Sequence, residues 1–217
     1  LKNRLAVFVA ACGLLSSAQS ASAILINQID TFHDGTRAGW DGGITYTNVA
    51  TGGPAGDGDR YFRAATTGSH MGTRNDAQWS GDYLAAGVSR LEMDFRNEGT
   101  TSLSMRVMFL AQGFADSWTS TTAFVVPADG HWHHAVFEIN PTDLTNVGSG
   151  LFPYESALAN VTRLLIRHDP GSPSGPTQSV NVTASLGIDN IRAVPEPGSA
   201  ALLTAMGLLS LRRRARK

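Results

Sequence analysis

Paired carboxylates, clustered imidazoles and scattered indoles are the side chains in this sequence that could do chemistry. Asp57-Gly58-Asp59 sets two hard oxygen donors close together in a Gly-rich stretch, which suits calcium as well as an ordinary turn. Glu92 and Asp94, two apart, would share one face of a strand about 7 Å from each other. Retaining glycosidic hydrolysis wants an acid and a nucleophile about 5–5.5 Å apart. Arg96 shares that face, so a solvated row of alternating charges accounts for the same residues. In His131-Trp132-His133-His134, a strand would put His131 and His133 on one side and Trp132 and His134 on the other. Two imidazoles grip zinc only with further ligands, and the sequence nearby offers none at a helpful spacing. Trp40, Trp79, Trp118 and Trp132 could form a sugar platform or fill a core. Trp118 sits in a polar stretch and is the candidate for an exposed ligand contact.

Both ends of the chain differ in composition from the body. Lys2 and Arg4 precede an apolar run from Leu5 to Leu15, and Ala21-Ser22-Ala23 offers a small-residue cleavage site. This is the pattern of a secretory signal peptide over residues 1–23. At the other end, Pro195-Glu196-Pro197 forbids helix locally. An uncharged, Ala- and Leu-rich run follows over 200–211, then Arg212, Arg213, Arg214, Arg216 and Lys217. The apolar run predicts a short helix of about 18 Å, less than the roughly 30 Å hydrocarbon core. The terminal cations suit the cytoplasmic side of a membrane.

The order Pro-Glu-Pro, apolar helix, Arg cluster over residues 194–217 resembles the PEP-CTERM sorting signal of Gram-negative bacteria. The resemblance implies that Pro195, Glu196 and Pro197 form a sorting motif recognised by an exosortase, a membrane-embedded cysteine transpeptidase. It further implies partners in the export machinery, transient anchoring in the inner membrane, and delivery to the cell surface or extracellular matrix.

Charge and cysteine usage narrow the body's role. Of 17 Lys and Arg residues, seven belong to the two ends; the ten that remain are all Arg, set against 18 Asp and Glu, a balance near −8. Nucleic acid is a poor partner for such a domain. The single cysteine, Cys12, lies in the signal segment, so the body has no disulfide. No Gly-x-Ser-x-Gly, phosphate loop or dinucleotide fingerprint is present.

Residues 24–193 are long enough for one domain with a sizeable core. Short apolar runs separated by Gly, Asn, Asp and Ser predict an all-β fold, an antiparallel jelly-roll β-sandwich. Strands are predicted at 24–32 (Ile24, Ile26 and Ile29 or Phe32 inward), 44–49, 60–65, 79–84, 88–97, 103–110, 121–126, 133–139, 161–168 and 180–194. The clearest is 88–97, where Leu91, Met93 and Phe95 alternate with Arg90, Glu92, Asp94 and Arg96. Loops are predicted at 68–76, at 113–119 and at 140–158, the last with a helical turn near 141–144.

Asp30-Thr31-Phe32, Gly39-Trp40, Trp79 to Tyr83, Leu91 to Arg96 and Ile188-Asp189-Asn190-Ile191 together resemble bacterial jelly-roll modules of the laminin-B-like and carbohydrate-binding kind. That resemblance implies a structural calcium linking first and last strands through Asp30 and Asp189, with Asp57 or Asp59 as further ligands. Two functions follow as expectations. One is a non-catalytic surface or matrix protein binding glycan or exopolysaccharide. The other is a secreted glycan hydrolase using Glu92 and Asp94, whose spacing is similar to a motif of some sandwich-fold glycosidases.

Overall fold

The computed structural model describes residues 23–111, 116–178 and 180–196. Residues 1–22 of the predicted signal peptide, most of the predicted C-terminal sorting segment including Pro197, and the apolar helix predicted at 200–211 lie outside the described residues.

Alternation builds the fold. In β5 (Val88–Asn97) Leu91, Met93 and Phe95 are fully buried while Arg90, Glu92, Asp94 and Arg96 face outward, the pattern of a strand with one wet face. β5 lies in a six-stranded antiparallel sheet ordered β2 (Thr45–Val49), β3 (Tyr61–His70), β12 (Asn181–Pro195), β5 and β9 (Trp132–Glu138), with β1 (Ile29–Asp30) paired to β12. The second sheet, also six-stranded, runs β10 (Leu144–Asn146), β7 (Asp116–Ser120), β6 (Leu103–Ala111), β11 (Val161–His168) and β4 (Gly72–Asn75), with β8 (Phe124–Val126) on β6. Phe62, Phe95, Leu186 and Ile188 from one sheet meet Met105, Val107, Phe109, Leu164 and Ile166 from the other in a shared core. The expected β-sandwich of jelly-roll type is therefore present. The one described helix is short, α1 (Tyr154–Leu158), and its Leu158 is buried in the core.

Several local expectations are corrected. The first strand is only Ile29–Asp30, because Asn27 and Phe32 take left-handed backbone (φ 62° and 56°). Ile24 and Phe32 are buried, but Ile26 and Ile29 point to solvent. Residues 79–84 form no strand. Hydrogen bonds from Ala86 N to Asp82 O and from Val88 N to Tyr83 O turn the chain there, and Trp79 and Tyr83 plug the core. The predicted loop at 68–76 is mostly strand. Gly68, at φ 78°, is the extra residue where the β3–β12 register shifts, and β3 continues to His70 before β4 begins. Within 140–158, the helical turn is present through Asn140 O, which accepts from Asp143 N and Leu144 N, and β10 and α1 follow.

The last strand carries a second irregularity that matters below. β3 pairs with β12 as far as Ile188, β1 takes over at Ile191, and Asn190 between them is left-handed (φ 50°). Pro195 closes β12 opposite Val88, and Glu196 follows, exposed.

Candidate functional site: a groove on the second sheet

β11 reads Val-Thr-Arg-Leu-Leu-Ile-Arg-His, so Arg163, Leu165 and Arg167 project from its outer face while Leu164 and Ile166 enter the core. On neighbouring β6, Arg106 and Met108 lie opposite Arg167 and Leu165; on β4, Gly72 and Arg74 do. This outer face is the floor of a groove of about 410 Å³. Leu110, Leu165 and Met71 give it apolar ground, Arg74, Arg163 and Arg167 give it guanidinium groups, and the 41–43 and 176–177 segments form its rims. A concave site with apolar ground and a few converging polar groups is where ligands usually bind.

Hydrogen bonding fixes the basic groups with little slack. Arg163 makes a two-pronged pair with Asp76, Nε to Oδ1 at 2.6 Å and Nη2 to Oδ2 at 2.7 Å. Arg74 reaches the same carboxylate only at 3.9 Å. Arg167 is buried, and the loop after β11 is wound around it. Its Nη1 donates to Gly175 O and Gln178 O, and its Nη2 to Ser174 O and Asp169 Oδ2. Its Nε is buried and finds no partner among the described residues. Arg106 donates to the carbonyls of Ser120, Thr121, Asp169 and Gly171, and burial pulls its pKa down. His168 at the back of the groove accepts from Ser104 N through Nδ1, and burial lowers its pKa as well.

Gly72 is at the closest approach of β4 to this floor. A Cβ there would stand 3.0 Å from Arg167 Cβ and 3.1 Å from Ile166 O, so a side chain would push the two strands apart. Tyr46 also depends on this spot, its hydroxyl donating to Gly72 O at 2.7 Å.

The residues predicted from sequence fall elsewhere. Trp118 is on β7, not in a loop: it faces inward opposite Phe109, packs edge-on against Tyr154 and keeps its Nε1 buried without a partner among the described residues. The polar residues that made this stretch read as a loop, Ser117 and Thr119, are fully buried within a strand. Trp40 and Trp79 are core residues, and both indole N–H groups donate to Asp30 Oδ2 at 2.7 Å. Trp132 is half-buried on the outer face of the first sheet, edge-on to Tyr61 with the Arg96 guanidinium over both rings. The rings close over Gly187, whose added Cβ would meet Trp132 Cη2 at 3.0 Å.

The acids expected to hold calcium are differently placed, with Asp59 near enough to act on Asp189 through its charge. β1 and β12 pair as that expectation requires, but Asp30 is committed to two indoles, and burial raises its pKa. Asp59 organises its own turn: Oδ2 accepts from Ala55 N at 2.7 Å and Oδ1 faces His33 Nε2 at 3.1 Å. Asp57 is exposed on that turn. Asp189 is fully buried with Oδ2 unpartnered, and burial, then Asp59 and Asp94, push its pKa up to about 7. Among the described residues no three His, Cys, Asp or Glu side chains stand together as a metal-holding group.

The paired carboxylates are likewise occupied. Glu92 accepts from Arg90 Nε at 2.7 Å; Asp94 is held by His134 Nδ1 at 2.9 Å and Asn190 Nδ2 at 2.8 Å. Glu98 accepts from Arg96, Tyr61 and Ser185; against the upward pull of burial, these bonds hold its pKa below the ordinary value. His133 finds a partner that sequence spacing missed, Asp129, at 3.0 Å. The groove itself was missed too. Its signal was the alternation of Arg163, Leu165 and Arg167 in an otherwise apolar strand.

No family model matches the chain, and no curated protein matches it. Solved structures do. A family 11 carbohydrate-binding module from Clostridium thermocellum, in complex with a β-1,3-1,4-mixed-linked tetrasaccharide, aligns with a TM-score of 0.54 at 13% identity, over 79% of this chain and 96% of that one. The family 11 module of a cellulosomal cellulase from the same organism gives 0.51 at 12% identity, over 79% and 95%. An exo-β-agarase gives 0.56 at 13% identity, over 79% of this chain and 25% of that one. At these identities the likeness is one of fold, the β-sandwich that carbohydrate-binding modules use.

Proposed function

We propose that this protein is a non-catalytic glycan-binding module carried by an exported surface or matrix protein, and that the groove over β4, β6 and β11 receives the glycan. The observation that carries this reading is the groove, an open cleft with apolar ground and fixed polar donors on a carbohydrate-binding-module fold. The neighbour solved with a mixed-linkage tetrasaccharide supports a polysaccharide as ligand. Binding rather than hydrolysis is favoured because Glu92 and Asp94 lie on the first sheet, away from the groove, and are each tied to a basic or amide side chain of that same sheet.

Export, exosortase processing at Pro195, Glu196 and Pro197, and residence at the surface of a Gram-negative cell are part of the same proposal, supported by the composition of the two ends. A glycan array probed with the purified protein tests the binding reading. Retention on a polysaccharide without release of reducing ends, unchanged in Glu92→Gln, is the expected result. Release of reducing ends that Glu92→Gln abolishes would replace it with the hydrolase.

A further inference from the structure

Resting on the glycan reading, we infer that the groove is built for an acidic polysaccharide, with the Arg74 guanidinium as the group that meets the sugar's carboxylate. The body of this chain is strongly acidic, yet its second sheet gathers Arg74, Arg106, Arg163 and Arg167 on one outer face. Among the described residues, two carboxylates form ion pairs with these four cations. Asp76 is shared by Arg163 and Arg74, and Asp169 is shared by Arg167 and Arg106, the latter at 3.7 Å. The acid on the rim, Asp41, is itself matched by Arg37 at 3.3 Å. A positive excess is therefore built into the face, and a cleft with low-dielectric walls concentrates such a field.

The four arginines are not equivalent. Arg106 and Arg167 are buried, with their terminal nitrogens committed to loop carbonyls and, for Arg167, to Asp169, so they supply field and rigidity rather than contact. Arg163 spends two of its N–H groups on Asp76. Arg74 stands 44% exposed, lines the groove, and has Asp76 only at the limit of an ion pair. Its fork of donors is the geometry that takes a carboxylate in two parallel bonds. No Trp, Tyr or Phe stands among the described lining residues, so the broad stacking surface that would serve a neutral sugar is not what this lining offers. His70 on the same wall adds a further nitrogen donor or acceptor.

The test is calorimetric titration of the full chain with polygalacturonate, alginate and hyaluronate, and with methyl-esterified polygalacturonate and mixed-linkage β-glucan as neutral counterparts. The expected result is binding to at least one acidic polymer, weakened by added salt and weaker by about tenfold or more for a neutral form of the same backbone. Arg74→Gln should reproduce that loss, and Arg192→Gln, on the opposite sheet, should leave affinity unchanged. Equal affinity for esterified and free polygalacturonate, preference for the neutral glucan, or indifference to Arg74→Gln would overturn the acidic-ligand inference and leave the glycan reading standing. Binding to none of the five polymers would overturn both.

Discussion

Asp189 stands directly opposite Asp94 across the β12–β5 pair, and the two carboxyls live in different worlds. Asp94 is half-buried and doubly hydrogen-bonded, whereas Asp189 is fully buried with one oxygen unpartnered. Burial first, then the Asp59 and Asp94 charges, raises the Asp189 pKa from 3.8 to about 7. Between those values the folded state holds a proton that the unfolded chain releases. The stability Asp189 contributes is therefore complete below about pH 4 and is lost as pH rises through about 7. Asp189→Asn should flatten the fall in melting temperature over that interval and raise stability at pH 8. A wild-type melting temperature that rises steadily from pH 4 to pH 8, with the same slope in Asp189→Asn, would contradict this.

Calcium should matter little to the fold. Asp30 and Asp59 already accept from N–H donors, and Asp57 is on an exposed turn. Melting temperatures in millimolar calcium and in chelator should agree. A rise of several degrees with calcium, abolished in Asp189→Ala, would show instead that Asp189 Oδ2 is a metal ligand.

Asp30 is the hinge of the aromatic core at the β1 end. Replacing it by alanine strands two buried indole N–H groups, each of which loses a charge-assisted bond. A loss of about 3 kcal/mol or more is expected, or about 6 °C or more in melting temperature for a domain of this size. Asp30→Asn keeps one acceptor oxygen and should lose less. If both variants melt with wild type, the Asp30–indole bonds contribute nothing measurable.

Sequence alone revealed the sandwich wherever a strand had one wet face. Val88 to Asn97 and Val161 to His168 were legible to the residue, because alternating side chains report burial directly. It failed where polar residues are buried. The segment 113–119 reads as loop, yet Ser117 and Thr119 are fully enclosed on the strand beside β6. It failed also where Gly bulges a strand instead of ending it, as at Gly68. Asp30 and Asp189 were recognisable as unusual acids, but their partners were not. The indoles that claim Asp30 come from 10 and 49 residues away. The groove stayed hidden for the same reason: Asp76 meets Arg163 across 87 residues, and only the β4–β11 pairing brings them together.

The placement of the ligand in the groove is tested most directly by comparing two variants, each checked for native circular dichroism, on the polysaccharide that the wild type retains. Thr177→Trp fills the groove from its rim, while Trp132→Ala removes the half-buried ring on the opposite sheet. In affinity electrophoresis, Thr177→Trp should migrate unretarded and Trp132→Ala should be retarded like wild type. Retardation that survives Thr177→Trp and disappears in Trp132→Ala would move the site to the first sheet and contradict the assignment of the groove.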